Sequence, residues 1–195
     1  MDNITKNYDP TVPPFTPYNN TNRSRTTVTV QVVVYGIKKV DLMDSTITFK
    51  AAIRHWWNDS RTSWDPDMYE GINTIWLKTD TQVSPRGWTP DFIIRQDAGE
   101  SYLSNMKMTD IKITSDGVNY WSTIGDIKVL ASFDVQRYPY DLQNITITYG
   151  SWIYSEPRIS LAIQSEPLIV YDPIGQWVID NIEWEFKNHS TTLIR

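Results

Sequence analysis

Two histidines, His55 and His189, and no cysteine make up the soft-ligand and base inventory of this 195-residue chain. A Cys–His pair is therefore out of reach, and a zinc site of ordinary ligand set lacks its donors. His55 stands beside Trp56 in an apolar run and reads as a strand residue. The paired carboxylates Asp65/Asp67 and Asp172/Asp180 lie in turn contexts, where capping and solvation account for them. A glycosidase needs two such groups facing each other across a cleft. No catalytic residue, metal or cofactor is expected, and the chain is read as no enzyme. Indole is the other chemistry on offer, with nine tryptophans in the chain. An exposed indole stacks on a sugar face, or holds a cation over its ring for roughly 0.5–2 kcal/mol. A buried one fills the space between two sheets.

The most informative run is Tyr138-Pro139-Tyr140-Asp141-Leu142-Gln143-Asn144, followed closely by Gly150-Ser151-Trp152. Pro139 fixes φ and removes a donor, and Asp141 can accept from nearby backbone N–H groups, so the corner sets a rigid turn between strands. Two further stretches stand in order before it. They are Trp57-Asn58-Asp59-Ser60-Arg61 through Trp64-Asp65-Pro66, and Trp88-Thr89-Pro90-Asp91. In this order the segments resemble the extracellular domain of the pentameric ligand-gated ion channels and the acetylcholine-binding proteins, over roughly residues 28–184. Members of that family usually carry a cysteine on each side of the corner, joined as a disulfide. Those places fall on Ala131 and Ile145 here, so the loop is expected to stay closed through Pro139 and the packing of Tyr138, Tyr140 and Phe133.

The resemblance implies an all-β, two-sheet antiparallel sandwich of immunoglobulin-like kind, with a short N-terminal helix on the outer rim that the prolines put in question. It implies a homopentamer with a small-molecule ligand between subunits, and a transmembrane pore domain if the native chain continues. Trp152 matches the aromatic that holds an agonist's cation, with core packing as the other reading. Arg95 replaces the usual tyrosine of the first binding loop, and Ala52 replaces the usual aromatic on the neighbouring subunit's strand. Arg54 and Ser122 match the pair that engages a carboxylate in receptors for amino-acid transmitters, and Tyr120 stands beside them. A guanidinium fork suits a planar carboxylate; a solvated strand arginine is the alternative at Arg54. Trp57, Trp64 and Trp88 match framework positions. The chain is expected to stop within or just before the third binding loop. Tyr138, Pro139, Tyr140 and Asp141, with Asp41 and Asp44 in the turn at residues 40–44, resemble the loops that press on the membrane domain. A soluble ligand-binding relative and a tryptophan-rich carbohydrate-binding sandwich are the alternatives.

The elements that must hold these residues are strands. Residues 27–35 and 44–57 alternate with period two, joined by a turn at 40–43. Asp116-Gly117 between 112–114 and 118–121 is a hairpin signal. Asp65-Pro66-Asp67 and Pro85-Arg86-Gly87 are breaks. Runs at 144–149, 159–164 and 176–186 complete eight or nine strands of a sandwich or barrel. The first 25 residues form a polar, proline-rich segment, and residues 1–195 read as one domain.

A net charge of −5 argues against nucleic acid as a partner. No apolar run approaches the ~18–20 residues that span a bilayer, and no leader follows Met1, so any leader is read as removed. The absence of cysteine leans towards a reducing compartment. Six N-x-[ST] sequons, at Asn3, Asn19, Asn22, Asn58, Asn144 and Asn188, lean the other way. With the family resemblance, the extracellular face of the plasma membrane, or secretion, is the expected location.

Overall fold

Alternation organises the fold. Between residues 46 and 58, Ile47, Phe49, Ala51, Ile53, His55 and Trp57 turn into the core, while Lys50, Arg54, Trp56 and Asn58 turn away from it. The structure, a computed structural model, describes residues 8–14, 16–18, 21–79, 87–99, 103, 106–154, 158–165, 167–170, 177–184 and 192–194. Its strands begin with β1 (Thr16–Tyr18), β2 (Thr21–Asp41), β3 (Thr46–Asn58), β4 (Thr74–Leu77), β5 (Phe92–Ile94), β6 (Met106–Met108) and β7 (Ile111–Thr114). β8 (Val118–Leu130), β9 (Ile145–Ile147), β10 (Tyr149–Ser151), β11 (Ile159–Ile163), β12 (Leu168–Ile169), β13 (Ile182–Trp184) and β14 (Thr192–Ile194) follow. No α-helix occurs among the described residues; of the first 25, where a short rim helix was expected, residues 1–7, 15, 19 and 20 lie outside them.

One layer is a nine-stranded sheet in the order β1-β2-β3-β8-β7-β4, with β11 and β12 on the free side of β2 and β6 on β8. The other layer holds the β5–β10 ribbon and the set β13-β14-β9. Pairing is antiparallel except where β11 and β12 run parallel to β2. Parallel neighbours need a long crossover, here supplied by a chain that has meanwhile visited the second layer. Valines 28, 30, 32 and 34, Trp57, Trp88, Trp121 and Tyr149 fill the space between. Trp57 and Trp88 meet edge to face at 5.4 Å, as framework positions should. Such a pair adds about 0.5–1.5 kcal/mol beyond its buried area.

The hairpin at Asp116-Gly117 forms as expected. Gly117 takes φ +85°, and a Cβ there would stand 2.8 Å from the Asp59 carbonyl oxygen. Asp59 itself is wholly buried and accepts two bonds from the Arg61 guanidinium, at 2.8 and 2.7 Å. The Arg61 guanidinium lies over the Tyr8 ring, whose hydroxyl accepts from the Trp88 N–H. Asp65 caps a short 3-10 turn, Pro66–Tyr69, in keeping with a turn role for this carboxylate.

Three strand boundaries differ from the sequence reading. β2 starts earlier and runs to Asp41, because Val40 pairs with Ile47 and Asp41 with Thr46; the turn is therefore residues 42–45. The run at 144–149 breaks at Thr148, where the Gln96 side-chain amide takes a strand partner's place. Gln96 Oε1 accepts from the Thr148 N–H at 2.7 Å and Gln96 Nε2 donates to its hydroxyl. In the run at 176–186, residues 177–181 carry no strand and β13 begins at Ile182.

Candidate ligand site

Trp152 follows β10 directly, and its side chain is 73% exposed, so it is no part of the core. Its loop is held by one carboxylate. Asp91 Oδ1 accepts from the Ser151 hydroxyl at 2.7 Å, Oδ2 from the Ile153 N–H at 2.8 Å, and the Asp91 carbonyl from the Trp152 N–H at 3.3 Å. The Ser151 hydroxyl in turn accepts from the Tyr154 N–H. The Trp-x-Pro-Asp motif thus positions the Gly-Ser-Trp step across the ribbon, since Phe92 and Ser151 are register partners. Arg95 is exposed at the other end of the same ribbon, its N–H bonded to the Thr148 carbonyl. Along the strand, four residues or roughly 13 Å separate the Trp152 and Arg95 positions.

The other candidates share the outward face of the large sheet. Gln31, Arg54 and Ser122 are register partners on β2, β3 and β8, and form one transverse row. Arg54 is half-buried, and its Nη1 donates to Gln31 Oε1 at 3.0 Å, while Gln31 Nε2 donates to the Ser165 hydroxyl at 2.7 Å. Among the described residues no carboxylate pairs with Arg54. Ser122 is buried, its N–H bonded to the Thr109 hydroxyl. Ala52, 3% exposed between Val33 and Ile124, is the least open of the six candidates.

Tyr120 belongs to a second row. It faces Trp56 at 5.2 Å between ring centroids, pairs with Lys112, and Lys112 pairs with Trp76. Lys112 Nζ lies 6.0 Å from the Trp76 ring centroid, a cation over an indole. Sequence reasoning missed Gln31, Trp56, Lys112 and Trp76. The signal was present in part: Trp56 is out of phase with the inward residues of β3, so it had to face outward. One chain does not bring the Trp152 ribbon and the Arg54 face onto a common cleft; they lie on different layers.

Residues 1–193 match the family described as the neurotransmitter-gated ion-channel ligand binding domain. The chain belongs to this family. It is 29% identical over 164 residues to the neuronal acetylcholine receptor subunit alpha-6 of Rattus norvegicus, covering 84% of this chain and 31% of that one. It is similarly related to the human subunit beta-3, at 27% over 161 residues, with 80% and 33% covered. The human subunit alpha-9 gives 28% over 160 residues, with 81% and 31% covered. The chain therefore spans about a third of the length of these relatives. No helix among the described residues is long and apolar enough to cross a membrane.

As a ligand-binding domain of this family, the chain closes its signature loop without cysteine. Gln143 does the closing. Its Oε1 accepts from the Asp134 N–H at 2.9 Å and its Nε2 donates to the Asp134 carbonyl at 2.7 Å, with Asp141 as a further acceptor. Phe133 packs against the core, but Tyr138 and Tyr140 are 63% and 91% exposed and no part of it. That corrects the expectation that both tyrosines hold the loop; a backbone clamp across the loop makes their packing unnecessary. Pro139 follows a cis peptide bond. The turn at 42–45 lies alongside, because the Ala131 N–H donates to the Ser45 carbonyl. Asp41 accepts from Lys39 Nζ at 2.6 Å and, shaping that turn, from the Asp44 N–H at 3.1 Å, which hold its carboxyl below the usual carboxylate range. Asp44 is exposed. All six rim candidates thus stand at one end of the sandwich. Of the sequons, Asn58 and Asn144 are exposed and Asn22 falls in β2, whereas Asn3, Asn19 and Asn188 lie outside the described residues.

Proposed function

We propose that this domain binds a small ligand carrying both an amine and an anionic group, at the interface between neighbouring subunits of a closed ring, most simply a homopentamer. The observation that carries the reading is Arg54: a half-buried guanidinium on an outward sheet face, steered by Gln31, with no carboxylate of its own among the described residues. A partly desolvated cation without a counter-charge is costly, and a ligand carboxylate in bidentate contact offsets that cost. Ser122 and Tyr120 flank it, with Ala52 leaving room. The neighbour contributes Trp152, whose exposed indole holds the amine, and Arg95. Acetylcholine, which appears in the relatives' names, has a cation and no anion. Two arginines repel it where an aromatic cage would attract it.

The reading extends to the whole molecule. Residues 1–195 act as one extracellular domain, with Asn58 and Asn144 available to carry glycans. Ligand closure is passed to the rim formed by Asp41, Asp44 and Tyr138 to Asp141, and from there to a pore domain where the native chain continues. Nothing in this use of the site involves catalysis. Calorimetric titration of the assembled domain with glycine, γ-aminobutyrate, taurine and acetylcholine tests the ligand class. An amino acid or sulfonate binding at least tenfold more tightly than acetylcholine, with the advantage removed by Arg54→Ala, supports the proposal. Tight acetylcholine binding indifferent to Arg54→Ala and Arg95→Ala overturns it.

A further inference from the structure

Packing between the two layers is incomplete at the end where the signature loop closes. A cavity of about 100 Å³ opens there. The inner faces of β2 and β3 give its floor through Ile37, Ile47 and Phe49, and Phe133, Leu142 and Ile145 close it from the loop side. Asp141, Gln143, Trp177 and Asp180 are the polar side chains of its lining, and Asp180 is exposed. Trp152, Arg54 and Arg95 do not line it, so it is separate from the site between subunits.

We propose that this cavity is a binding site for a small, neutral, apolar molecule no larger than benzene. The floor offers no hydrogen-bonding side chain, the Gln143 amide on the loop side is already bonded to Asp134 and Asp141, and a water needs two to four polar partners to be held firmly. An unfilled apolar void forfeits dispersion contacts along its whole lining, which a compact apolar guest restores. Apolar cavities of roughly 150 Å³ in other proteins stay dry and take benzene or xenon. The cavity here is smaller but reaches the surface beside Leu142, which is largely exposed, so a guest enters without unfolding. The carboxylates of Asp141 and Asp180 discriminate against anions of the same size. Because Phe133 and Leu142 belong to the signature loop and Ile47 and Phe49 to β3, a guest braces the loop against the sheet. The Gln143 clamp then opens less often, and ligand occupancy here becomes a second input to the rim.

The test is methyl NMR of the whole 195-residue chain, labelled at isoleucine, under xenon pressure and during benzene titration. Saturable shifts are expected at Ile37, Ile47 and Ile145, with Ile75, Ile111 and Ile113 at the far end of the core unmoved. Leu142→Trp places a bulky side chain at an exposed position over the mouth and should weaken benzene binding at least tenfold without disturbing the fold. Phe49→Leu enlarges the floor and should tighten it several-fold. Benzoate should leave the three methyls where they are. No saturable shift, shifts of equal size at both ends of the core, or benzoate acting like benzene each overturn the proposal. So does an affinity that neither variant changes.

Discussion

His55 lies wholly inside the sandwich, with Nε2 2.7 Å from the Tyr149 hydroxyl and its ring stacked 5.0 Å from Trp121. Burial pushes its pKa down from 6.5 to about 3. The unfolded chain therefore binds a proton that the folded chain refuses throughout that window. The resulting stability is complete above pH 6.5 and is lost as pH falls towards 3. Between pH 7 and pH 4 this one group should remove about 3 kcal/mol of stability. Denaturant melts of wild type and His55→Gln at both pH values check it; the variant, though less stable at pH 7, should show a much shallower acid loss. An equal loss in both would place the acid sensitivity elsewhere. From sequence, His55 was legible as a strand residue, since its phase in β3 matches Ile53 and Trp57. Its bond to Tyr149 was not, because 94 residues separate the two and only the packing of the layers joins them. Trp152 was singled out by its motif, whereas the Gln31–Arg54 bond depended on strand register, which the alternation pattern alone leaves open.

Elements were legible where period two is uninterrupted and illegible where a side chain replaces a strand partner. The long strands and the Asp116-Gly117 hairpin followed from alternation and turn chemistry. The break at Thr148 did not, because it needs Gln96 from a distant loop. Gly117 gives a sharp check on the hairpin. Its φ of +85° and the nearby Asp59 carbonyl leave no room for a Cβ, so Gly117→Ala should destabilise by more than about 1 kcal/mol. A neutral result in thermal melts would mean that the turn adopts another form. The signature loop offers a second check. Gln143→Ala removes both bonds to the Asp134 backbone and should cost about 1–2 kcal/mol. Joining Ala131→Cys to Ile145→Cys restores closure by another route, worth roughly 3 kcal/mol in the chain-entropy model before the loss of buried Ile145 packing. Oxidation should therefore rescue the Gln143→Ala chain. If the pair stays reduced in air-equilibrated buffer, or destabilises once bridged, the two ends of the loop do not meet as described.

At the scale of the molecule, the two halves of the candidate site lie on different layers, and the proposed function needs a neighbour to complete it. Family membership and the sandwich were both readable from four ordered motifs. The ligand was less so, because the candidate residues stand in rows across strands rather than along them. Light scattering at micromolar concentration should give the mass of a closed ring, and a lone 22.7 kDa species at every concentration would contradict a shared site. The most direct test mixes two damaged chains. Arg54→Ala spoils the sheet face and keeps the Trp152 ribbon; Trp152→Ala does the reverse. Each alone should bind an amino-acid ligand at least tenfold more weakly than wild type. Co-assembled at equal ratio, random mixing makes about one quarter of the interfaces intact, and calorimetry should recover that share of sites at wild-type affinity. Mixed rings that recover no site would contradict a ligand held between subunits.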